Sequence, residues 1–256
     1  MGSKLVTLVR NLQQRKGRKR QNLAVAEGVR LVEEALAAEA RLRGAIVSPA
    51  LARTSRGAAL LTDLAAHAVP LEEIPEREFA RLAGTETPQG VLAIVDPPVW
   101  SLERIVPAAG APVLILDAVQ DPGNVGTLLR TAFALGAAGA VLLKGTADPN
   151  NAKVVRAAMG ATFRLPIAAA DDGQLAAWVR AREIAVWATA LQGTPLAQLR
   201  APARLALVVG NEGAGIRDAV RELAAARVAI PLARGAESLN VAVAAGILLY
   251  EVTRGA

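Results

Sequence analysis

The chain has no cysteine and a single histidine, His67. The first absence excludes disulfides and thiolate metal sites, and the second excludes any multi-histidine metal site. Nothing in this composition requires an oxidising compartment. Aromatic residues make up only 3% of the chain, so a core must be assembled from Ala, Val and Leu, with little left over for stacking on bases. Long apolar runs are also missing, and the stretch Val241–Tyr250 is too short to span a bilayer. The start, Met1-Gly2-Ser3-Lys4, has no apolar signal core, and Val6 stands where an acylation signal requires Ser or Thr. These absences lead to the expectation of a cytoplasmic protein without metal or membrane, with His67 an ordinary surface or edge residue.

Apolar residues make up 53% of the 256, enough to bury a core in two modest domains or one large one. The net charge is +6, and its placement is uneven. Residues 1–20 carry Lys4, Arg10, Arg15, Lys16, Arg18, Lys19 and Arg20 and no acid, so the remainder is close to neutral. The run Arg15-Lys16-Gly17-Arg18-Lys19-Arg20 suits a phosphate backbone. A solvated basic tail, or a non-specific polyanion contact, is the other reading of the same run.

Pro97, Pro98, Pro107 and Pro112 mark a stretch without periodicity, read as a linker over 96–111 between a domain 1–95 and a domain 112–256. Before it, short apolar segments at Leu23–Ala26, Ala45–Val47, Val69–Leu71 and Val91–Val95 alternate with helical patterns. The helices are expected at Glu27–Ala38, near Gly57–His67 and near Glu76–Leu82, which makes a small α/β domain. After it, Val113–Leu116, Ala140–Leu143, Ile184–Ala188 and Leu205–Val209 are unbroken apolar runs, as parallel strands covered on both faces require. Helices are expected near Val125–Leu135, Asn151–Met159, Asp172–Arg182, Ile216–Ala225 and Leu239–Val252.

In an open parallel sheet, ligands gather beyond the carboxyl ends of the strands. Three loops there hold the unusual polar residues. In LDAVQDPGNVGTLLR, Asn124 is placed to cap a helix. Arg130, six residues on, opposes the dipole near its start, so it is either an anion holder or a plain surface arginine. In VVGNEGAGI, glycines surround Asn211 and Glu212, but the G-x-G-x-x-G spacing of a dinucleotide loop is absent. The segment is either a ligand loop or a glycine-rich connector. In GAESLNVAVAAGILLYE, Ser238 stands where a helix cap belongs, at the mouth of an apolar helix.

Taken together and in this order, QDPGNVGTLLRTAFALGA, VVGNEGAGI and IPLARGAESLNVAVAAGILLYE resemble the three motifs of the TrmH/SpoU family of SPOUT RNA methyltransferases. The segment DPNNAKVVRAAMGATFRLP resembles the family's middle portion, with Ala158 where a Ser is common. AEGVRLVEEAL and TPQGVLAIV resemble the start and end of its N-terminal RNA-binding domain. The resemblance covers nearly the whole chain. It implies a small N-terminal α/β RNA-binding domain joined to a C-terminal parallel-sheet SPOUT domain with a deep trefoil knot. It also implies methyl transfer from S-adenosylmethionine to a ribose 2′-hydroxyl, and a homodimer.

Carried over residue by residue, the resemblance implies a cofactor site at Thr189, Gly210, Asn211, Gly213, Ile230, Leu232 and Leu239. It implies catalytic roles for Asn124, Arg130, Glu212, Ser238 and Asn240. The RNA-binding residues would be Arg15, Lys16, Arg18, Lys19 and Arg20. The N-terminal domain favours ribosomal RNA of the large subunit, with transfer RNA as the alternative. Two other readings compete: a non-catalytic RNA-binding or ribosome-assembly protein on the same fold, and a nucleotide-dependent enzyme on an ordinary α/β sheet. Cofactor binding measured by calorimetry separates them.

Overall fold

A computed structural model describes residues 4–254. Met1–Ser3, where a leader or acylation signal would begin, and residues 255–256 lie outside the described residues. In chain order the main elements are α1 (Lys4–Gln13), α2 (Arg15–Gln21), β1 (Ala24–Glu27), α3 (Val29–Ala37), β2 (Leu42–Val47), α4 (Ser55–Ala66), β3 (Leu71–Glu73), α5 (Glu76–Leu82) and β4 (Val91–Val95). They continue as β5 (Val113–Asp117), α6 (Pro122–Ala134), β6 (Gly139–Leu142), α7 (Ala152–Ala158), α8 (Ala161–Arg164), β7 (Ile167–Ala169) and α9 (Asp172–Ala181). The last are β8 (Ala185–Pro195), β9 (Leu205–Gly210), α10 (Asp218–Arg221), β10 (Ala226–Ala229) and α11 (Val241–Arg254). Two compact units result: Met1–Pro98 with Asp148–Arg164, and Val99–Ala147 with Leu165–Ala256.

The first unit is built on a four-stranded sheet, β1-β4-β2-β3, in which β4 runs antiparallel to β1 and β2 while β3 runs parallel to β2. Alternation along the strands sends successive side chains to opposite faces. Ala24, Ala26, Ala45, Val47, Val91, Ala93 and Val95 pack in one cluster with residues of α3 and α4. Val25, Ile46, Leu92 and Ile94 pack in another with α1 and α5. The segment 148–164 contributes Val155 and Phe163 to the α3–α4 cluster, so this unit draws on chain beyond the 1–95 expected from the sequence. The expected strand Val69–Leu71 forms two residues later, at Leu71–Glu73.

The basic N-terminal tract is part of this unit's fold. In α1, Val6, Val9 and Leu12 fall at helical spacing and are buried against Phe79, Leu82 and the sheet. Each such apolar side chain contributes roughly 1.5–3 kcal/mol when fully buried, enough to hold a ten-residue helix that has no acid in its first turn. The chain then turns sharply into α2. A Cβ at Gly17 would lie 1.9 Å from the Asn11 carbonyl oxygen, so only glycine fits this corner.

Arg18, expected among the RNA-binding residues, is only 6% exposed. Its Nε donates to Asp148 Oδ2 at 2.7 Å, and one terminal nitrogen donates to the Leu12 and Gln13 carbonyls, each at 3.0 Å. A guanidinium so enclosed has no face left for a phosphate, and Arg18 is removed from the RNA-facing set. Arg15, Lys16, Lys19 and Arg20 on the same helix are exposed.

The second unit holds a six-stranded, all-parallel sheet in the order β10-β8-β9-β5-β6-β7. The apolar runs foreseen as buried strands are its central members. β7 and β10, of three and four residues, were too short to register as periodic segments. One face packs Val113, Ile115, Val141, Val186 and Val208 against Leu175, Trp178 and Val179 of α9. On α6, Val125, Leu128, Leu129 and Ala132 are buried, and α11 packs on α6 and β9. Parallel order puts the carboxyl ends of β5, β8, β9 and β10 on one edge, which is where the motif loops emerge. No described helix is long and apolar enough to cross a membrane.

Candidate active site

Three segments at this strand edge enclose a cavity of about 490 Å³. β8 supplies Thr189, Ala190 and Leu191, the end of β9 and the loop after it supply Gly210 to Gly213, Gly215 and Ile216, and the chain after β10 supplies Ile230, Leu232 and Ser238 to Asn240. All seven residues expected at a cofactor site line it, and so do Glu212, Ser238 and Asn240 of the expected catalytic set. Its walls divide the way a small-ligand site requires, with apolar Ile216, Val228, Ile230, Leu232 and Leu239 against a few polar groups.

The glycine loop is shaped by backbone contact. Asn211 and Gly215 exchange both backbone hydrogen bonds, at 3.0 and 2.9 Å. Asn211 Oδ1 accepts from the backbone N–H groups of Gly213 and Ala214, each at 2.9 Å. A Cβ at Gly210 would lie 2.4 Å from the Gly215 carbonyl carbon. Gly210→Ala must therefore open the loop, and a loss of about 1–3 kcal/mol, typical of overpacking, is expected in urea unfolding.

A polar chain joins all three motif segments. Asn240 Nδ2 donates to Asn124 Oδ1 at 3.0 Å, and Asn124 Nδ2 donates to Glu212 Oε1 at 2.9 Å. Asn124 therefore reaches the loops without lining the cavity. It is not the helix cap: α6 begins at Pro122, and Asp121 caps it, accepting from the Asn124 N–H at 2.8 Å. Pro at the first helical position, with its φ preset and no N–H to satisfy, moves the start ahead of the expected Val125. Ser238 is not a cap either. α11 begins at Val241, and Asn240 Oδ1 accepts from Ala242 N at 2.9 Å and Val243 N at 3.4 Å. Ser238 stays exposed in the loop, facing the cavity.

Arg130 stands apart from this cluster. It is the ninth residue of α6, past the midpoint, so it does not oppose the dipole at the helix start as the later expected boundary implied. It is exposed, does not line the cavity, and its guanidinium has no hydrogen bond or ion pair among the described residues. Phe133 is exposed one turn on.

Asp117, Asp172 and Arg217 are absent from the sequence-expected set. Asp117, at the end of β5, is fully buried. It accepts from Arg217 backbone N at 2.7 Å and from Arg217 Nε at 2.6 Å, while the two terminal nitrogens of Arg217 reach Asp172 at 2.9 and 2.8 Å. The bonds it donates to Asp172, with those to Asp117, hold the Arg217 guanidinium pKa above its ordinary value, against the lowering effect of burial. The signal available in sequence was an acid closing the apolar run VLILD. No group of three or more His, Cys, Asp or Glu able to hold a metal ion occurs among the described residues.

Residues 111–250 match the SpoU rRNA Methylase family, and residues 4–93 match the MRM3-like substrate binding domain. The chain belongs to the SpoU rRNA methylase family. One relative in it is the 23S rRNA (guanosine(2553)-2′-O)-methyltransferase RlmP of Bacillus subtilis, 37% identical over 95% of this chain and 93% of that protein. The AdoMet-bound rRNA methyltransferase of Sinorhizobium meliloti superposes with a TM-score of 0.88 at 33% identity, over 99% of this chain and 95% of that one. The SpoU methyltransferase AviRb of Streptomyces viridochromogenes, in complex with AdoMet, gives 0.88 at 29% identity, over 99% and 98%.

Proposed function

We propose that this chain methylates the 2′-hydroxyl of a ribose in large-subunit ribosomal RNA, with S-adenosylmethionine as donor. The observation that carries the reading is that one cavity gathers residues from three parallel strands and the segments that follow them, Thr189 of β8, Gly210 at the end of β9 and Ile230 after β10 among them. Its size falls within the range of small-ligand sites. The glycine loop lets backbone approach a ligand closely, and Ile230, Leu232 and Leu239 offer an apolar wall for an adenine. S-adenosylmethionine, when bound, supplies an electrophilic methyl carbon for in-line attack by the ribose oxygen.

The chain's own residues bring the hydroxyl to that point. Arg130, with a free planar fork, holds the phosphate beside the target ribose and stabilises the charge that develops on its oxygen. A guanidinium does not deprotonate in proteins, so it is not the base, and the proton leaves to phosphate or water. Glu212, fixed by Asn124, orients the substrate side of the glycine loop. Ser238 and Asn240 position the ribose. Arg15, Lys16, Lys19 and Arg20 grip the RNA backbone, with phosphate and shape outweighing base stacking.

The protein works in the cytoplasm as a homodimer with its C-terminal segment threaded as a trefoil knot. Val243, Ile247 and Tyr250 form an exposed apolar stripe at spacings of four and three along α11, which supports a second copy packing there.

The test is incubation with methyl-labelled S-adenosylmethionine and separate pools of unmodified ribosomal and transfer RNA. Any 2′-O-methyl is mapped by resistance to alkaline cleavage. Label at one ribose of large-subunit RNA is the expected result. Label confined to transfer RNA would keep the chemistry and overturn the substrate. Cofactor binding with no label in either pool would overturn turnover itself.

A further inference from the structure

The loop that floors the cavity, residues 210–216, lies largely at the surface: Glu212, Gly213, Ala214 and Gly215 are exposed. Such a loop needs fixing from its ends to present its backbone groups in one arrangement. Both ends are tied to two consecutive residues, Asp117, the last of β5, and Ala118, which follows it. At the front, Asn211 Nδ2 donates to the Ala118 carbonyl at 3.0 Å. At the back, Arg217 gives Asp117 both its backbone N–H and its Nε. Asp117 is also the register partner of Gly210, so the anchoring acid sits directly beside the loop's first residue. Ala118 adopts φ +57, an uncommon conformation for a residue with a Cβ, and it is this residue's carbonyl that meets Asn211.

We propose that Asp117, Arg217 and Asp172 form a positioning clamp that holds the glycine loop in its ligand-binding shape. Arg217 acts through the loop and touches no substrate. The proposal rests on reading the cavity as the S-adenosylmethionine site. A fully buried carboxylate paired with a partly buried arginine is a poor device for stability alone, because apolar residues of similar volume often serve as well or better. What an apolar residue cannot do is fix the direction of a backbone N–H. The Asp117–Arg217 bond fixes the N–H of the residue that ends the loop. Asp172, at the start of α9, holds the far side of the guanidinium and sets its plane.

The experiment is a calorimetric titration with S-adenosylmethionine, steady-state methylation and a thermal melt, on the unsubstituted protein and on Arg217→Ala, Arg217→Lys and Asp172→Asn. A misplacement of the loop by about 1 Å is expected to cost Arg217→Ala roughly ten- to a hundredfold in S-adenosylmethionine affinity. KM for the cofactor should rise in parallel, while kcat at saturating cofactor and KM for RNA stay within about threefold. Arg217→Lys, which can reach one carboxylate, should recover part of the loss. Asp172→Asn, at a half-exposed position that tolerates change, should show a smaller loss of the same kind, and it keeps the test open should Arg217→Ala fold poorly. Unchanged cofactor affinity in the folded variants, with only a lower melting temperature, would reduce the clamp to a structural role and overturn the proposal. So would a loss falling on kcat or on KM for RNA. Failure of the unsubstituted protein to bind S-adenosylmethionine would instead overturn the reading of the cavity, and is told apart because it needs no variant.

Discussion

Arg130→Ala is expected to lose methyl transfer by about 10²–10³-fold or more while binding S-adenosylmethionine as the unsubstituted protein does, the scale seen when one preorganised charge stabiliser is removed from a transition state. The expectation follows from where the side chain is. It is exposed, carries no hydrogen bond or ion pair among the described residues, and lies outside the cavity lining. Its removal therefore leaves no buried group unpaired, and stability should stay within about 0.5 kcal/mol, as for surface substitutions generally. Loss of activity in a protein with an unchanged melt and unchanged cofactor affinity would tie the arginine to the reacting ribose and not to folding. Arg130→Lys keeps the charge but not the planar fork, and it too should fall well short of full turnover. Full turnover in the lysine variant would exclude bidentate phosphate holding. Full turnover in the alanine variant would remove Arg130 from the reaction.

Asp148→Ala is expected to destabilise the first unit by about 3–5 kcal/mol, the cost of leaving a buried charge without its partner. The charge is Arg18, enclosed between the carbonyls at the end of α1 and the Asp148 carboxylate. Urea unfolding measures it directly. Adding Arg18→Met to Asp148→Ala should recover part of the loss, because the uncompensated cation is then gone. A single Asp148→Ala change of under 1 kcal/mol would mean that solvent reaches Arg18. Lys19→Ala, one residue along the same basic run, should behave oppositely. Its stability should hardly change, and RNA affinity should weaken with a salt dependence reduced by about one phosphate contact.

The contrast between Arg18 and Lys19 shows where the sequence is uninformative. Arg15 to Arg20 reads as one basic run because its charges are adjacent, whereas α2 turns Arg18 inward toward an acid 130 positions away. α1 is hidden in the sequence for a related reason. Its apolar residues, Val6, Val9 and Leu12, form a narrow stripe within a cationic segment, and charge masks the period. The central strands of the second sheet are legible. Leu205–Val209 and Val113–Leu116 are apolar without interruption because helices cover both faces of the sheet, and that double burial is written into composition. The expected caps lie two residues off in one case, Ser238 for Asn240, and three in the other, Asn124 for Asp121. In each loop several residues can cap, and only the backbone path selects one.

The sequence by itself determined the kinds of element, the parallel sheet and the three loops that now line or border one cavity, because periodicity, unbroken apolar runs and turn residues are local properties of the chain. Tertiary structure alone decided which charged groups are engaged and which are free. Arg217 is held by Asp117, a hundred positions away, and Arg18 by Asp148, while Arg130 and Lys19 face solvent. The physical reason is that a charge is defined by its desolvation and its partners. Both are set by which distant segments the packed core brings within hydrogen-bonding distance.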